Sequence, residues 1–198
     1  MVKAKIAVLV SGGGTNLQAL IDAQKSGIIT SGEIALVISN NEHAYALTRA
    51  LENGIRTSYI PSKAEDFEEQ LTRVLKSAEI DLIVLAGFMK ILSADFTNEF
   101  DGKIINVHPS LIPSFCGKGF YGLRVHEEAL KYGVKVTGAT VHFVNEIPDG
   151  GNIILQKAVY IEDGDTPEVL QKRVMEQAEW KILPEATELL CKKITEEK

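Results

Sequence analysis

Hydrophobic positions along the chain fall into two patterns. Ile6-Ala7-Val8-Leu9-Val10 and Leu82-Ile83-Val84-Leu85-Ala86 are unbroken apolar runs, and 34–38 is a third. Continuous hydrophobicity is what a strand shows when both of its faces are covered, as in the middle of a parallel sheet. Between these runs apolar residues recur at helical spacing: Leu17, Leu20 and Ile21 before Gly27, the segment 44–51 before Asn53-Gly54, then Phe67, Leu71, Val74 and Leu75. An extended piece at 57–60 closed by Pro61, a helix at 94–100 and a strand at 103–107 continue the alternation. This order predicts an α/β fold built on a single doubly wound, mostly parallel sheet of Rossmann-like plan.

Beyond Pro109 the pattern changes. Gly, Ser and Pro punctuate 110–123, which predicts a long loop before a helix at 125–132. The segments 135–144 and 153–161 read as two strands close enough in sequence to pair as an antiparallel ribbon. A last helix opens at Thr166-Pro167-Glu168, with Thr as N-cap and Pro at the first helical position, and Pro184 predicts a break within it. No linker, repeat or low-complexity tract interrupts residues 1–198, so the chain reads as one domain.

Composition narrows the class. With 45% hydrophobic and 24% charged residues the chain is an ordinary globular one, and at 198 residues it buries roughly 70% of its unfolded surface, so its core needs no staples. Cys116 and Cys191 are far apart and outside metal-ligand spacing, predicting reduced thiols and no metal. The N-terminal apolar run is too short for a signal peptide or a membrane span, predicting a cytoplasmic protein without a membrane partner. With 21 Lys and Arg against 27 Asp and Glu, the net charge of -6 gives no footprint for a nucleic acid, though it leaves room for a local phosphate pocket.

The first chemistry-bearing motif is Ser11-Gly12-Gly13-Gly14-Thr15-Asn16, which joins a strand to a helix. Side-chain-free amides at a helix N-terminus favour a phosphate, and Thr15 and Asn16 add donors; a tight turn required only for packing is the alternative. Dinucleotide binding is disfavoured, because Leu17 stands where the third glycine of that fingerprint belongs and Ser39-Asn40-Asn41 where its acidic residue belongs.

In Ile105-Asn106-Val107-His108-Pro109, residues two apart on a strand share a face, so Asn106 and His108 point together while Val107 faces the core. Pro109 ends the strand and places the pair at its carboxyl end, where open α/β sheets bind ligands. An amide donor beside an imidazole is what attack on an acyl-level carbonyl requires. Asp149-Gly150-Gly151 reads either as a simple turn or as a carboxylate folded over the sheet edge to meet His108, raising its pKa. Thr140 and His142 share one face of a late strand and read as supporting residues, whereas His43 and His126 read as surface helix residues.

Taken together, Ser11-Gly-Gly-Gly-Thr-Asn16, Leu85-Ala-Gly-Phe-Met-Lys-Ile-Leu92, Asn106-Val-His-Pro-Ser-Leu-Ile-Pro113 and Asp149-Gly-Gly151 closely resemble the phosphoribosylglycinamide formyltransferases of purine synthesis, over essentially the whole chain. The Asn-x-His and Asp-Gly-Gly set resembles all 10-formyltetrahydrofolate formyltransferases and hydrolases; the glycine turn with Thr and Asn resembles the glycinamide ribonucleotide branch. The resemblance implies transfer of formyl from 10-formyltetrahydrofolate, as co-substrate, to the amine of 5-phosphoribosylglycinamide through a tetrahedral intermediate. It implies that Asn106 and a protonated His108 stabilise the oxyanion, that Asp149 holds His108, and that Gly14, Thr15, Asn16 and Glu179 bind the ribonucleotide. Met89, Lys90, Ile91, Leu92, Asn106, Val144 and Asp149, with backbone of the 144–149 loop, would line the folate pocket.

The implied organisation is a phosphate-binding half at 1–100 and a catalytic, folate-binding half at 101–198, in a monomer or homodimer whose partners are small molecules. Three positions depart from the family pattern. Ala64 replaces a basic residue, with Lys63 beside it; the family's Glu-His appears as Glu179-Trp180, one residue further from Arg173; and the loop after Pro113 is lengthened by 115–121, enough to serve as a lid. A tRNA-directed formyltransferase, a formyltetrahydrofolate hydrolase and a non-catalytic nucleotide-binding module are the rival readings.

Overall fold

The computed structural model describes residues 2–198. Seven strands, β1 (Ala4–Val10), β2 (Gly32–Ser39), β3 (Arg56–Tyr59), β4 (Leu82–Leu85), β5 (Ile104–His108), β6 (Val136–Phe143) and β7 (Ile153–Tyr160), form one sheet in the order β3-β2-β1-β4-β5-β6-β7. The first five are parallel; β6 runs antiparallel to β5, and β6 and β7 pair antiparallel with each other as their short separation predicted.

Alternate residues of β1 explain its unbroken hydrophobicity. Ile6, Val8 and Val10 pack on one face against α1 (Thr15–Ser26) and the C-terminal helix, while Ala7 and Leu9 pack on the other against α3 (Phe67–Ser77) and α4 (Ala94–Glu99). Two cores thus sandwich the sheet. α2 (Tyr45–Glu52) follows β2, and α5 (Leu123–Tyr132) follows the long loop after β5.

The chain runs outward from β1 through β2 to β3 and then crosses back to place β4 on the other side of β1. That reversal opens a crevice at the carboxyl ends of β1 and β4, the place where such sheets hold ligands. Across it, the Met89 N–H after β4 donates to the Ser11 hydroxyl after β1 at 2.9 Å.

The C-terminal segment corrects one expectation. Thr166 caps α6 (Pro167–Val174) by accepting from the Val169 N–H, with Pro167 in the first turn as predicted. The irregularity then comes as a π turn at Met175–Glu179, and α7 (Trp180–Glu196) runs through Pro184 without a break. Pro184 removes one intrahelical donor, and its ring is buried with Leu183 and Ala186.

Candidate active site

His108 is the last residue of β5, facing away from Val107 as its spacing predicted. The antiparallel register sets His142 opposite Asn106 and Thr140 opposite His108, so four polar side chains share one face of two neighbouring strands. The Asn106 amide lies 3.3 Å from His142 Nε2, and His142 Nδ1 donates to the Phe143 carbonyl at 2.7 Å. Nδ1 therefore carries a proton, while Nε2 lies between the Asn106 amide and the Asp149 carboxylate.

Asp149 joins this group from the β6–β7 loop. Its carboxylate bridges two imidazoles, with Oδ2 3.4 Å from His108 Nδ1 and Oδ1 3.5 Å from His142 Nε2. The following glycines make the approach possible: a Cβ on Gly151 would lie 1.8 Å from the Phe143 carbonyl oxygen, and one on Gly150 2.6 Å from Ile147. The Asp-Gly-Gly motif is therefore a close-packed return of the loop onto β6 as well as a turn.

The 109–122 loop closes the site from above. His108 Nε2 donates to the Phe115 carbonyl at 2.8 Å, and the Gly117 N–H donates to Asp149 Oδ2 at 2.8 Å. Thr140 anchors the base of the loop by donating to the Ser110 carbonyl and accepting from the Ile112 N–H. Of three non-glycine residues with positive φ among those described, two are Phe115 (φ 49°) and Asp149 (φ 57°), the pair that brackets His108. Strain of this kind persists only where the surroundings impose it and gathers at functional sites; Phe115 is held by its ring contacts with Phe120 and Tyr132.

The electrostatics of His108 reverse one expectation. Both ring nitrogens face acceptors, which favours the imidazolium, but burial is the larger influence, and the His108 pKa lies below the usual 6.5 despite Asp149. Asp149 ends below the ordinary carboxylate range: burial pushes it up, but the His142 hydrogen bond, the charge of His108 and the Gly117 N–H together outweigh burial. His126, expected on a surface, is fully buried in α5 with both ring nitrogens unpartnered. Burial, and secondarily the charge of His108, push its pKa down to about 4. Its neighbours Glu127 and Glu128 hid this, because α5 turns the single position 126 inward with Val125 and Ala129. His43 is exposed, as expected.

A cleft of about 120 Å³ opens beside Asn106 and Asp149, walled by Leu85, Phe88, Ile91, Leu92 and Val144, with Lys90 and His142 at its edge. Met89 is not among its walls; it is 58% exposed and tied to Ser11 instead. Lys90 reaches back to the Ser62 carbonyl at 2.7 Å and over the Phe67 ring, leaving neighbouring Lys63 exposed beside a half-buried Ala64. The 145–148 segment lines the cleft as expected of its loop, whereas Phe88 was missed from the sequence, where its apolar signal was present but unread. A larger open groove of about 630 Å³ between β3 and α3 contains none of these residues.

At the glycine turn, Gly14 caps α1 at φ 73°, and a Cβ there would meet Ala46 at 2.6 Å, so packing alone accounts for it. Gly12 and Gly13 differ: a Cβ on either would meet nothing within 4 Å, so no internal packing demands them. Exposed glycines beside a helix N-terminus leave room for an anion to approach. Glu179, at the end of the π turn, is buried and accepts from the Asn16 amide at 2.8 Å. Burial raises its carboxyl to about 7, only partly offset by that bond.

The match to known proteins now decides the family. A model described as Formyl transferase covers residues 4–187. The chain belongs to the formyl transferase family. It is 46% identical over 184 residues to phosphoribosylglycinamide formyltransferase of Haemophilus influenzae, covering 91% of this chain and 84% of that relative. It is also 46% identical over 193 residues to the human trifunctional purine biosynthetic protein adenosine-3, covering 96% of this chain but only 18% of the longer protein. This formyl transferase superposes on the crystal structure of phosphoribosylglycinamide formyltransferase from Anaplasma phagocytophilum with a TM-score of 0.88 at 40% identity, covering 97% of this chain and 89% of that one. No helix among the described residues of the formyl transferase is long and apolar enough to cross a membrane, and no group of His, Cys, Asp and Glu among them is arranged to hold a metal ion.

Proposed function

We propose that this chain transfers the formyl group of 10-formyltetrahydrofolate to the amine of 5-phosphoribosylglycinamide, a step of purine synthesis. The observation that carries the reading is the convergence of Asn106, His108 and Asp149 at the carboxyl edge of the sheet, with Asn106 and Asp149 lining an apolar cleft and His108 held behind Asp149. Apolar walls with a few polar groups among them suit a ring system presenting a reactive carbonyl. The cleft is smaller than a whole folate, so it would take the ring end and leave the tail in solvent. The Gly12–Gly13 amides, Thr15 and Asn16 would hold the phosphate of the other substrate, with Glu179 reaching from the catalytic half, 101–198, to the phosphate-binding half, 1–100.

In this reading the substrate amine attacks the formyl carbon and an oxyanion develops. The Asn106 amide keeps one N–H beyond its contact with His142, and His108 Nε2–H, given to the Phe115 carbonyl in the resting arrangement, supplies the second donor. Substrate arrival thus exchanges the Phe115 carbonyl for the oxyanion. Asp149 stands behind His108 Nδ1 and favours the imidazolium as negative charge develops, offsetting the burial that keeps the resting ring neutral. The proton lost by the attacking amine passes through water and Asp149 to His108 Nδ1, which makes the imidazolium, and returns by the same route to the departing folate nitrogen. The enzyme would act on small molecules in the cytoplasm, where its two free thiols stay reduced, as a monomer or homodimer. A spectrophotometric assay of formyl transfer tests it: folded protein that turns over both substrates supports the proposal, and folded protein inert to 5-phosphoribosylglycinamide overturns it.

A further inference from the structure

The C-terminal helices carry an apolar stripe whose spacing does not fit one continuous α-helix. Leu170, Val174, Ala178, Ile182 and Ala186 are all buried in one core, each four residues from the last. At about 100° per residue, four such steps would carry Ala186 roughly 160° from Leu170, onto the opposite face. The π turn at Met175–Glu179 resolves the conflict: the Trp180 N–H reaches back to the Met175 carbonyl, five residues away, so the turn takes up one residue without advancing the stripe. With that residue absorbed, Ala186 lies about 60° from Leu170, within an ordinary apolar face.

The same turn sets the direction of Glu179. Carried on a continuous α-helix from Val174, Glu179 would point about 140° away from the buried stripe; with the turn it lies about 40° from it. There it is 6% exposed and accepts from Asn16 at 2.8 Å, while Met175, at the start of the turn, brings its sulfur 4.0 Å from the Thr15 hydroxyl. Both donors that follow the glycine turn therefore meet residues of the π turn. π turns recur at functional sites for this reason: they re-aim side chains without moving the flanking helix.

We infer that the π turn Met175–Glu179 is a register-correcting element that positions Glu179 against Asn16 for ribonucleotide binding. The inference rests on the reading of Glu179 as a ribonucleotide contact. Two single-residue deletions at exposed positions separate direction from mere helix length. Deleting Gln177 removes the extra residue before Glu179; the helix becomes regular, with Glu179 still on the stripe. Deleting Lys181 removes it after Glu179; the helix again becomes regular, with Glu179 about 140° off the stripe.

The expected result is a KM for 5-phosphoribosylglycinamide within about threefold of the parent for the Gln177 deletion and at least about tenfold higher for the Lys181 deletion, with little change in KM for the folate, as for loss of a hydrogen bond to a charged group. In parallel, the Asn16 side-chain amide resonances, followed against pH without substrate, titrate near 7 in the parent and the Gln177 deletion and not in the Lys181 deletion. A Gln177 deletion that loses the Asn16 titration overturns the inference, and so does a folded Lys181 deletion that keeps it. If the titrations behave as stated while no protein uses the ribonucleotide, the functional reading fails and the positioning inference stands.

Discussion

Asp149 Oδ2 stands 3.4 Å from His108 Nδ1, with its other oxygen 3.5 Å from His142 Nε2, so one carboxylate serves two imidazoles in a largely buried setting. Replacing it with Asn keeps a residue tolerant of positive φ and removes only the charge. Asp149→Asn is expected to lower kcat about 100-fold or more, a typical contribution of a proton-handling group. It should also move the His108 pKa further down, because the raising influence of Asp149 is lost. Histidine NMR titration with kcat measured alongside checks both; an unchanged His108 pKa would remove Asp149 from the account.

Gly151 is required by space. Gly151→Ala forces a Cβ into the Phe143 carbonyl, and the β6–β7 loop has to move. Overpacking of this kind costs about 1–3 kcal/mol, and displacement of Asp149 should lower kcat about tenfold or more. Urea unfolding and a rate measurement test it; a variant with parental stability and rate would show that the loop does not depend on this close approach.

His126 should make the fold acid-sensitive. Its pKa is about 4 in the fold against about 6.5 when unfolded, so the unfolded chain binds the extra proton, and stability falls as pH drops from about 6.5 to about 4. The loss amounts to roughly 3 kcal/mol at most. His108, also lowered, acts in the same direction. His126→Leu should flatten this fall in unfolding free energy between pH 7 and pH 4.5; an unchanged slope would contradict it.

Glu179 acts in the opposite direction. Its folded pKa of about 7 exceeds the unfolded value of about 4.5, so its buried carboxyl favours the fold at low pH and that contribution is lost as pH rises through 7. Glu179→Gln is expected to raise the Tm at pH 8 by several degrees, with little effect at pH 5. It should also raise KM for the ribonucleotide. Gain of stability with loss of affinity would mark a residue kept for binding; loss of stability at pH 8 would refute the burial argument.

What the sequence revealed was set by the range of each interaction. Strands β1 and β4, the glycine turn and the shared face of Asn106 and His108 were legible because two-residue and helical periodicities are local. The pairing of β6 with β7 followed from their short separation. The meeting of Asp149 with His108 was not legible in periodicity, since it depends on a loop returning over forty residues later against Gly151. His126 was misread because polar neighbours on a helix say little about one inward position, and the break assigned to Pro184 belongs to the π turn. The lowered His108 pKa escaped because a carboxylate partner can be guessed from sequence, whereas the burial that outweighs it cannot.

The central claim is that His108, with Asn106 and Asp149, runs formyl transfer. The most direct measurement is the transfer assay with 10-formyltetrahydrofolate and 5-phosphoribosylglycinamide on the parent and His108→Ala, with circular dichroism to confirm that both are folded. The account predicts robust turnover by the parent and a kcat lower by about 100- to 10,000-fold in the folded variant; a folded His108→Ala protein with near-parental kcat would contradict it.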